Sequence, residues 1–284
     1  MPESLNVLIA GCGFVGQETA RQLQARGHRV VGLTHSEESA ERIRKEADFE
    51  IITADLGDAS SLRAIGQEFD AVIHCASSGR RGADQYRKVY LEGCENLSQV
   101  FPNATLLFTS STSVYPQTDG SVVTEESDAN PTRETGQILR ETEEFVLSDG
   151  GIVARLSGLY GPGRSVLLQR FHDGTAIIET GESRFLNQIH RDDVASALVC
   201  MLESAPYSAG QIYNVSDGAP TTQRETFESL AQHFGKPEPP EGPPDLNRKR
   251  AWTHKQISNA KLRALGWSPE FPSFLDAVKR GAIF

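Results

Sequence analysis

Short runs of apolar residues recur through the first half of the chain. Between them lie stretches in which apolar positions return every three or four residues. The runs are Val7–Ala10, Val30–Leu33, Phe49–Ala54, Ala71–Cys75, Thr105–Thr109 and, further on, Ile152–Leu156. They read as short strands buried on both faces rather than lying half in water. Between them, Gln17–Arg26, Ser36–Ala47 and Tyr86–Val100 carry the helical period. Gly27 follows the first helix as a left-handed cap. Strands alternating with helices specify an α/β fold, a doubly wound parallel sheet covered on both sides.

One further helix is predicted over PTRETGQILRETEE and the residues after it. Ile138, Leu139, Thr142, Phe145 and Val146 share a face, and Thr135 lies one turn before Leu139. That face holds no group that readily moves a proton at neutral pH. From Gly161 the pattern loosens, and Lys236–Pro244 (KPEPPEGPP) is expected to be extended loop. The organisation expected is a dinucleotide-type domain over 1–160, to which 188–217 return. A smaller lobe takes most of 161–284.

Composition narrows the function. The 284 residues carry 28 Lys+Arg against 38 Asp+Glu, a net charge of −10. So acidic a chain is poorly suited to nucleic acid or an anionic membrane. No apolar run reaches the roughly 18 residues of a membrane span. The opening MPESLNVLIAG has no basic stretch before its short apolar run, so no leader is expected. The four cysteines, Cys12, Cys75, Cys94 and Cys200, show no metal or redox spacing. They are expected as free thiols in a cytoplasmic protein, with no metal bound.

The first apolar run leads into Gly11-Cys12-Gly13-Phe14-Val15-Gly16 and then a helix. In that strand–turn–helix context the three glycines read as a dinucleotide-binding loop of Rossmann type. Gly11 permits the tight turn, Gly13 admits a pyrophosphate and Gly16 lets helix pack on strand. The N–H groups at the helix start, at Phe14 and Val15, would hold the phosphate charge. The second strand ends in Thr34-His35-Ser36, where NAD sites usually place an acid on the ribose 2′-hydroxyl. Without that acid one barrier to a 2′-phosphate is gone, and His35 and Ser36 could donate to one, while Glu37 and Glu38 follow immediately. NADP is therefore expected, with NAD as the alternative.

Further landmarks follow in a fixed order. They are Ala54-Asp55-Leu56, Val72-Ile73-His74-Cys75-Ala76, Thr109-Ser110-Ser111-Thr112-Ser113-Val114-Tyr115 and Arg155-Leu156-Ser157-Gly158-Leu159-Tyr160-Gly161-Pro162-Gly163. Ile189-His190-Arg191-Asp192-Asp193-Val194 and Tyr213-Asn214-Val215 complete the series. Their joint order resembles the extended short-chain dehydrogenase/reductases, whose members include nucleotide-sugar epimerases and dehydratases. The resemblance implies that Asp55 and Leu56 line an adenine pocket and that Ala76 and Ser77 lie along the cofactor. Ser111 falls at the family's catalytic serine, with Tyr115 beside it. The His190–Asp193 segment is implied to be structural. Arg164 and Arg184 lie in the lobe that binds substrate.

The family's Tyr-x-x-x-Lys pair aligns with Thr135 and Leu139, so both members are replaced. The chain therefore resembles an atypical member of the family. The function expected is an epimerase- or dehydratase-like oxidoreductase acting on a nucleotide sugar or other small carbonyl or hydroxyl compound. It would use a non-standard proton carrier, with Tyr115, Tyr160, His190 and Glu134 as candidates. The alternative is a non-catalytic dinucleotide-binding redox sensor. Either form could be a homodimer.

Overall fold

Val7, Leu8, Ile9 and Ala10 are all fully buried, the first two odd–even pairs of a strand with protein on both faces. A computed structural model describes residues 4–79, 82–245 and 252–284. Residues 1–3 of the segment read for a leader, and 246–251 of the expected lobe, lie outside the described residues. The strands are β1 (Asn6–Ala10), β2 (Arg29–Thr34), β3 (Glu50–Thr53), β4 (Ala71–His74), β5 (Thr105–Ser111), β6 (Ile152–Leu156) and β7 (Ile212–Val215). They form one parallel sheet in the order β7-β6-β5-β4-β1-β2-β3. Val7 stands between Val30 and Ala71 in register. This is a Rossmann-type α/β fold. Its strand order reverses between β1 and β4, where such sheets bind ligands at their carboxyl ends.

The helices are α1 (Phe14–Ala25), α2 (Glu37–Arg44), α3 (Gly93–Val100), α4 (Glu134–Ser148), α5 (Arg191–Glu203), α6 (Gln223–Phe234) and α7 (Phe274–Lys279), with shorter ones between. Val7 and Ile9 pack with Leu23, Leu198 and Met201 on the side of α1 and α5. Leu8 packs with Val72, Leu97, Phe108 and Val146 on the side of α3 and α4. Alternate residues of one strand thus feed two cores. Each fully buried Leu or Phe contributes about 1.5–3 kcal/mol. The helix expected at Tyr86–Val100 starts earlier, at Ala83, and is π-wound over Arg87–Glu92 before α3.

A third apolar cluster holds the lobe, with Tyr160, Phe171, Phe227, Phe274 and Val278 at its centre. The proline-rich Lys236–Pro244 runs mostly extended. Only Glu241–Gly242 pairs, in parallel with Ile178–Glu179, because proline has no N–H to donate.

Two buried carboxyl groups fasten the carboxyl-terminal segment to the sheet domain. Asp193 accepts from the Glu270 and Phe271 N–H groups at 2.6 and 3.1 Å, and Asp217 from the Ala219 N–H at 3.0 Å. Burial outweighs these bonds and pushes Asp193 up to about 6 and Asp217 up to about 7. A carboxyl group whose folded pKa exceeds its unfolded value stabilises most near pH 4, and that contribution is lost as the pH rises to 6–7. These two groups are therefore expected to pull the melting temperature down between about pH 4 and pH 7, by an amount on the order of a few kcal/mol in stability. Asp217→Asn keeps an oxygen for Ala219 and should flatten that slope. Melting curves across the window check it, and a wild-type slope in the variant would reject the assignment.

Candidate active site

The three glycines of the β1–α1 loop have three different surroundings. Gly11 has φ +98°, and a Cβ there would lie 2.2 Å from the Ala76 nitrogen. Only glycine lets the loop press on the exit of β4 in that conformation. A Cβ on Gly16 would lie 2.5 Å from the Gly11 oxygen and 2.9 Å from Ile9 Cγ2, which sets how closely α1 approaches β1. A Cβ on Gly13 would meet nothing within 4 Å. The loop is pinned by the Gly11 and Cys12 N–H groups, which donate to the Leu33 carbonyl at 3.0 and 2.8 Å. No side chain caps α1, so its first N–H groups and positive dipole end face that open space. The arrangement fits a dinucleotide pyrophosphate. Phe14 heads the helix, with the Arg164 and Arg191 guanidinium groups 5.1 and 5.3 Å from its ring.

Beyond β2, Thr34 is buried and donates to the Ser36 carbonyl at 3.1 Å. Ser36 caps α2 by accepting from the Ser39 N–H. His35 is exposed, 4.0 Å from Asp55 Oδ1. Asp55 also accepts from the Gly57 N–H at 2.9 Å and from Lys88 Nζ at 2.8 Å. Partial burial would raise this carboxyl, but the Lys88 and Gly57 hydrogen bonds outweigh it and hold it below the usual range. Lys88 was not singled out in the sequence; it reaches Asp55 from the π-wound turns before α3. Leu56 is buried and its carbonyl accepts from Asn96. Ala76 sits against Gly11, while Ser77 is exposed and accepts from the Gly79 N–H.

Past β5 the chain borders a small cleft of about 150 Å³, lined by Ser111, Ser113, Ser157, Gln188 and Lys255 among others. Ser111 Oγ accepts from the Ser113 N–H at 3.2 Å. The Ser157 hydroxyl is buried with no hydrogen-bond partner among the described residues. Lys255, from the carboxyl-terminal segment, is the residue the sequence reading missed. Its ammonium is buried and donates to the Tyr115 carbonyl. Burial alone pulls it down to about 8.

Tyr115 itself is fully buried, and its hydroxyl is engaged away from this cleft. It donates to Asn214 Oδ1 at 2.9 Å and accepts from Arg155 Nη1 at 2.7 Å. Burial raises its pKa despite the Arg155 charge. The structure therefore makes Tyr115 part of a buried network and not a wall of the cleft. Arg155 in turn grips Glu143, with Nη2 to Oε2 at 2.6 Å and Nε to Oε1 at 3.0 Å. Arg140 and Ser110 also donate to that carboxylate.

Leu139 is buried in the apolar cluster beside α4, and Thr135 is half-buried one turn earlier. The buried side of α4 does hold a carboxyl group, that of Glu143, one turn beyond Leu139. In the sequence Glu143 stands between Glu141 and Glu144 with no mark of its own; its partner Arg155 lies on a strand. The remaining candidates are committed elsewhere. His190 caps α5 by accepting from the Asp192 N–H, and its other ring nitrogen meets the Ala282 carbonyl at 3.1 Å. Arg184 pairs with Glu179 at 3.1 Å, and Trp252 donates to the same carboxylate at 3.0 Å. Arg164 is exposed at the glycine loop.

Comparison with known proteins agrees with this layout. Residues 7–216 match the NAD dependent epimerase/dehydratase family. Protein YeeZ of Escherichia coli K12 is 29% identical over 278 residues, covering 94% of this chain and 96% of YeeZ. A Methylobacillus flagellatus protein solved as a candidate NAD-dependent epimerase/dehydratase superposes with a TM-score of 0.81 at 26% identity. That match covers 99% of this chain and 98% of the other. The UDP-glucose 4-epimerase of Thermus thermophilus, solved with NAD, gives a TM-score of 0.77 at 23% identity over 96% of each chain, a likeness of fold. The glycine loop, the reversal of strand order and the serine at the end of β5 all fall inside the matched region, and the chain belongs to the NAD-dependent epimerase/dehydratase family, among the extended short-chain dehydrogenase/reductases.

Proposed function

We propose that the protein binds NADP(H) in preference to NAD(H). With it, the protein interconverts a hydroxyl and a carbonyl group on a small substrate of the nucleotide-sugar type, without a tyrosine–lysine pair at Thr135 and Leu139. The observation that carries this reading is one of placement. The open face of Gly13, Ala76 and the Ser111 cleft all lie at the carboxyl edge of one parallel sheet. A cleft with hydroxyls beside a dinucleotide loop favours an enzyme over a sensor, which needs no second site.

When bound, the nicotinamide supplies hydride acceptance or donation. The chain supplies the rest. The α1 N-terminus holds the pyrophosphate, and the exit of β2 offers His35 and Ser36 as donors to a 2′-phosphate, with Glu37 and Glu38 next to them at the head of α2. Asp55, fixed by Lys88 and Gly57, keeps lone pairs for an adenine amino group. Ser111 orients the reacting oxygen by a hydrogen bond that strengthens as charge develops there.

Ser111→Ala tests the reading. Turnover on a panel of nucleotide sugars and simple carbonyl compounds, followed by NADPH absorbance, is expected to drop by about 10²–10³. Cofactor affinity and melting temperature should stay near wild type. Unchanged turnover in Ser111→Ala would remove the serine from the reaction.

A further inference from the structure

Lys255 is a buried lysine fixed at the edge of the Ser111 cleft. Its backbone is clamped on both sides. The His254 N–H donates to Gln117, the His254 carbonyl accepts from Gly120, and the Lys255 carbonyl accepts from Asn187 Nδ2 at 2.9 Å. The Gln256 N–H then donates to Ser121 and the Ile257 N–H to Asn187 Oδ1 at 2.7 Å. From this fixed base the side chain runs past the Tyr115 ring, with Nζ 5.9 Å from its centroid. Nζ gives one hydrogen to the Tyr115 carbonyl, and lysine carries three. Among the described residues no carboxylate pairs with it. Lys255 and Ser111 border the same cleft.

We propose that Lys255 is the proton carrier of this site, doing from the carboxyl-terminal segment what Thr135 and Leu139 cannot do from α4. This rests on the function proposed above. In the oxidising direction the substrate hydroxyl gives its proton to the neutral Lys255 amine, and its carbon gives a hydride to an oxidised nicotinamide. The C–H and O–H bonds break, the carbonyl forms, and the two electrons leave with the hydride. Reduction runs the same steps backwards from the ammonium. None of the competing groups lines this cleft. The Tyr115 hydroxyl faces Arg155, Tyr160 is buried in the lobe cluster, His190 caps α5, and Glu134 is exposed at the start of α4.

A buried amine without a counter-charge is poised for such work. The charged and titratable groups around it leave it so. Across the cleft wall stand Tyr115 and, behind it, Arg155 with Glu143; Glu125 is tied to the Asn214 N–H. On its own segment His254 bonds Phe185 and Glu182. None is within ion-pairing distance of Nζ.

The test uses Lys255→Met and Lys255→Arg in the full chain, with two readouts. The first is the melting temperature of the cofactor-free protein against pH. A lysine whose folded pKa is lowered to about 8 destabilises the fold while it is charged. That penalty fades as the pH rises from 8 towards 10. Lys255→Met is therefore expected to melt higher than wild type at pH 7, with the gap closing by pH 10. The second is kcat/KM for oxidation. Wild type should rise with pH to a plateau above about 8, and both variants should lose about 10²–10⁴-fold together with that limb. NADPH should still shift the melting temperature of both. Turnover within a few-fold of wild type in Lys255→Met, with cofactor binding intact, would overturn the role of Lys255 and leave the function standing. A wild type that binds cofactor but turns over nothing on the panel would overturn both.

Discussion

Glu143→Ala is expected to lower the unfolding free energy by about 3–5 kcal/mol, the cost of leaving one member of a buried ion pair alone. Glu143 and Arg155 are 0% and 1% exposed. The carboxylate takes both Nε and Nη2 of Arg155 together with hydrogen bonds from Arg140 and Ser110. Removing it strands a guanidinium between α4 and β6 with only the Tyr115 hydroxyl and the face of its ring as partners among the described residues. Replacing both, as in Glu143→Met with Arg155→Met, removes the two charges together and should cost far less than the single change. Urea unfolding followed by circular dichroism measures both variants. A loss under about 1 kcal/mol for Glu143→Ala would mean that water or a rearranged side chain takes over the guanidinium. The damage should also reach the cleft, since Arg155 holds Tyr115 and the Tyr115 carbonyl holds Lys255.

Gly13→Val and Gly11→Ala are expected to fail in opposite ways. At Gly13 a Cβ meets no protein atom within 4 Å, so Gly13→Val should disturb the fold far less than Gly11→Ala while blocking the pyrophosphate. Wild type should gain about 2.7 kcal/mol of apparent stability when NADPH exceeds its Kd 100-fold, with a smaller shift for NADH at equal concentration. Gly13→Val should show neither shift. Gly11→Ala puts a Cβ 2.2 Å from the Ala76 nitrogen at a φ of +98°. The β1–α1 and β4 loops must then part, and the fold should lose several kcal/mol before any ligand is added. Thermal-shift titration of the three proteins with both cofactors separates these outcomes. Equal wild-type shifts for the two cofactors would remove the preference for NADP(H). A normal NADPH shift in Gly13→Val would move the pyrophosphate elsewhere.

Much of the nucleotide domain was legible in the chain because its signals are local. A strand covered on both faces has to be apolar along its length, so Val7–Ala10 and Ala71–Cys75 announced themselves. Gly11, Gly13 and Gly16 stand at a spacing set by one turn of chain leading into one helix. That the His190 segment serves structure came from the family resemblance, and the structure adds that His190 itself caps α5. The π-wound stretch at Arg87–Glu92 was not legible, because an apolar helical pattern does not show where one turn widens.

What tertiary structure decided was partnership. Glu143 and Arg155 meet only because β6 packs beside α4, and Lys88, still part-exposed, reaches Asp55 only by passing Gly57. Tyr115 has the residue type of a proton carrier, yet the fold turns its hydroxyl into the core. Lys255 carries no motif at all; its Nζ reaches the Tyr115 carbonyl 140 positions away. A residue's own backbone preference and solvation are written in its neighbours along the chain. The charge it pairs with and the water it loses depend on the segment packed across from it, and only the closed sheet with its returning carboxyl-terminal chain sets that.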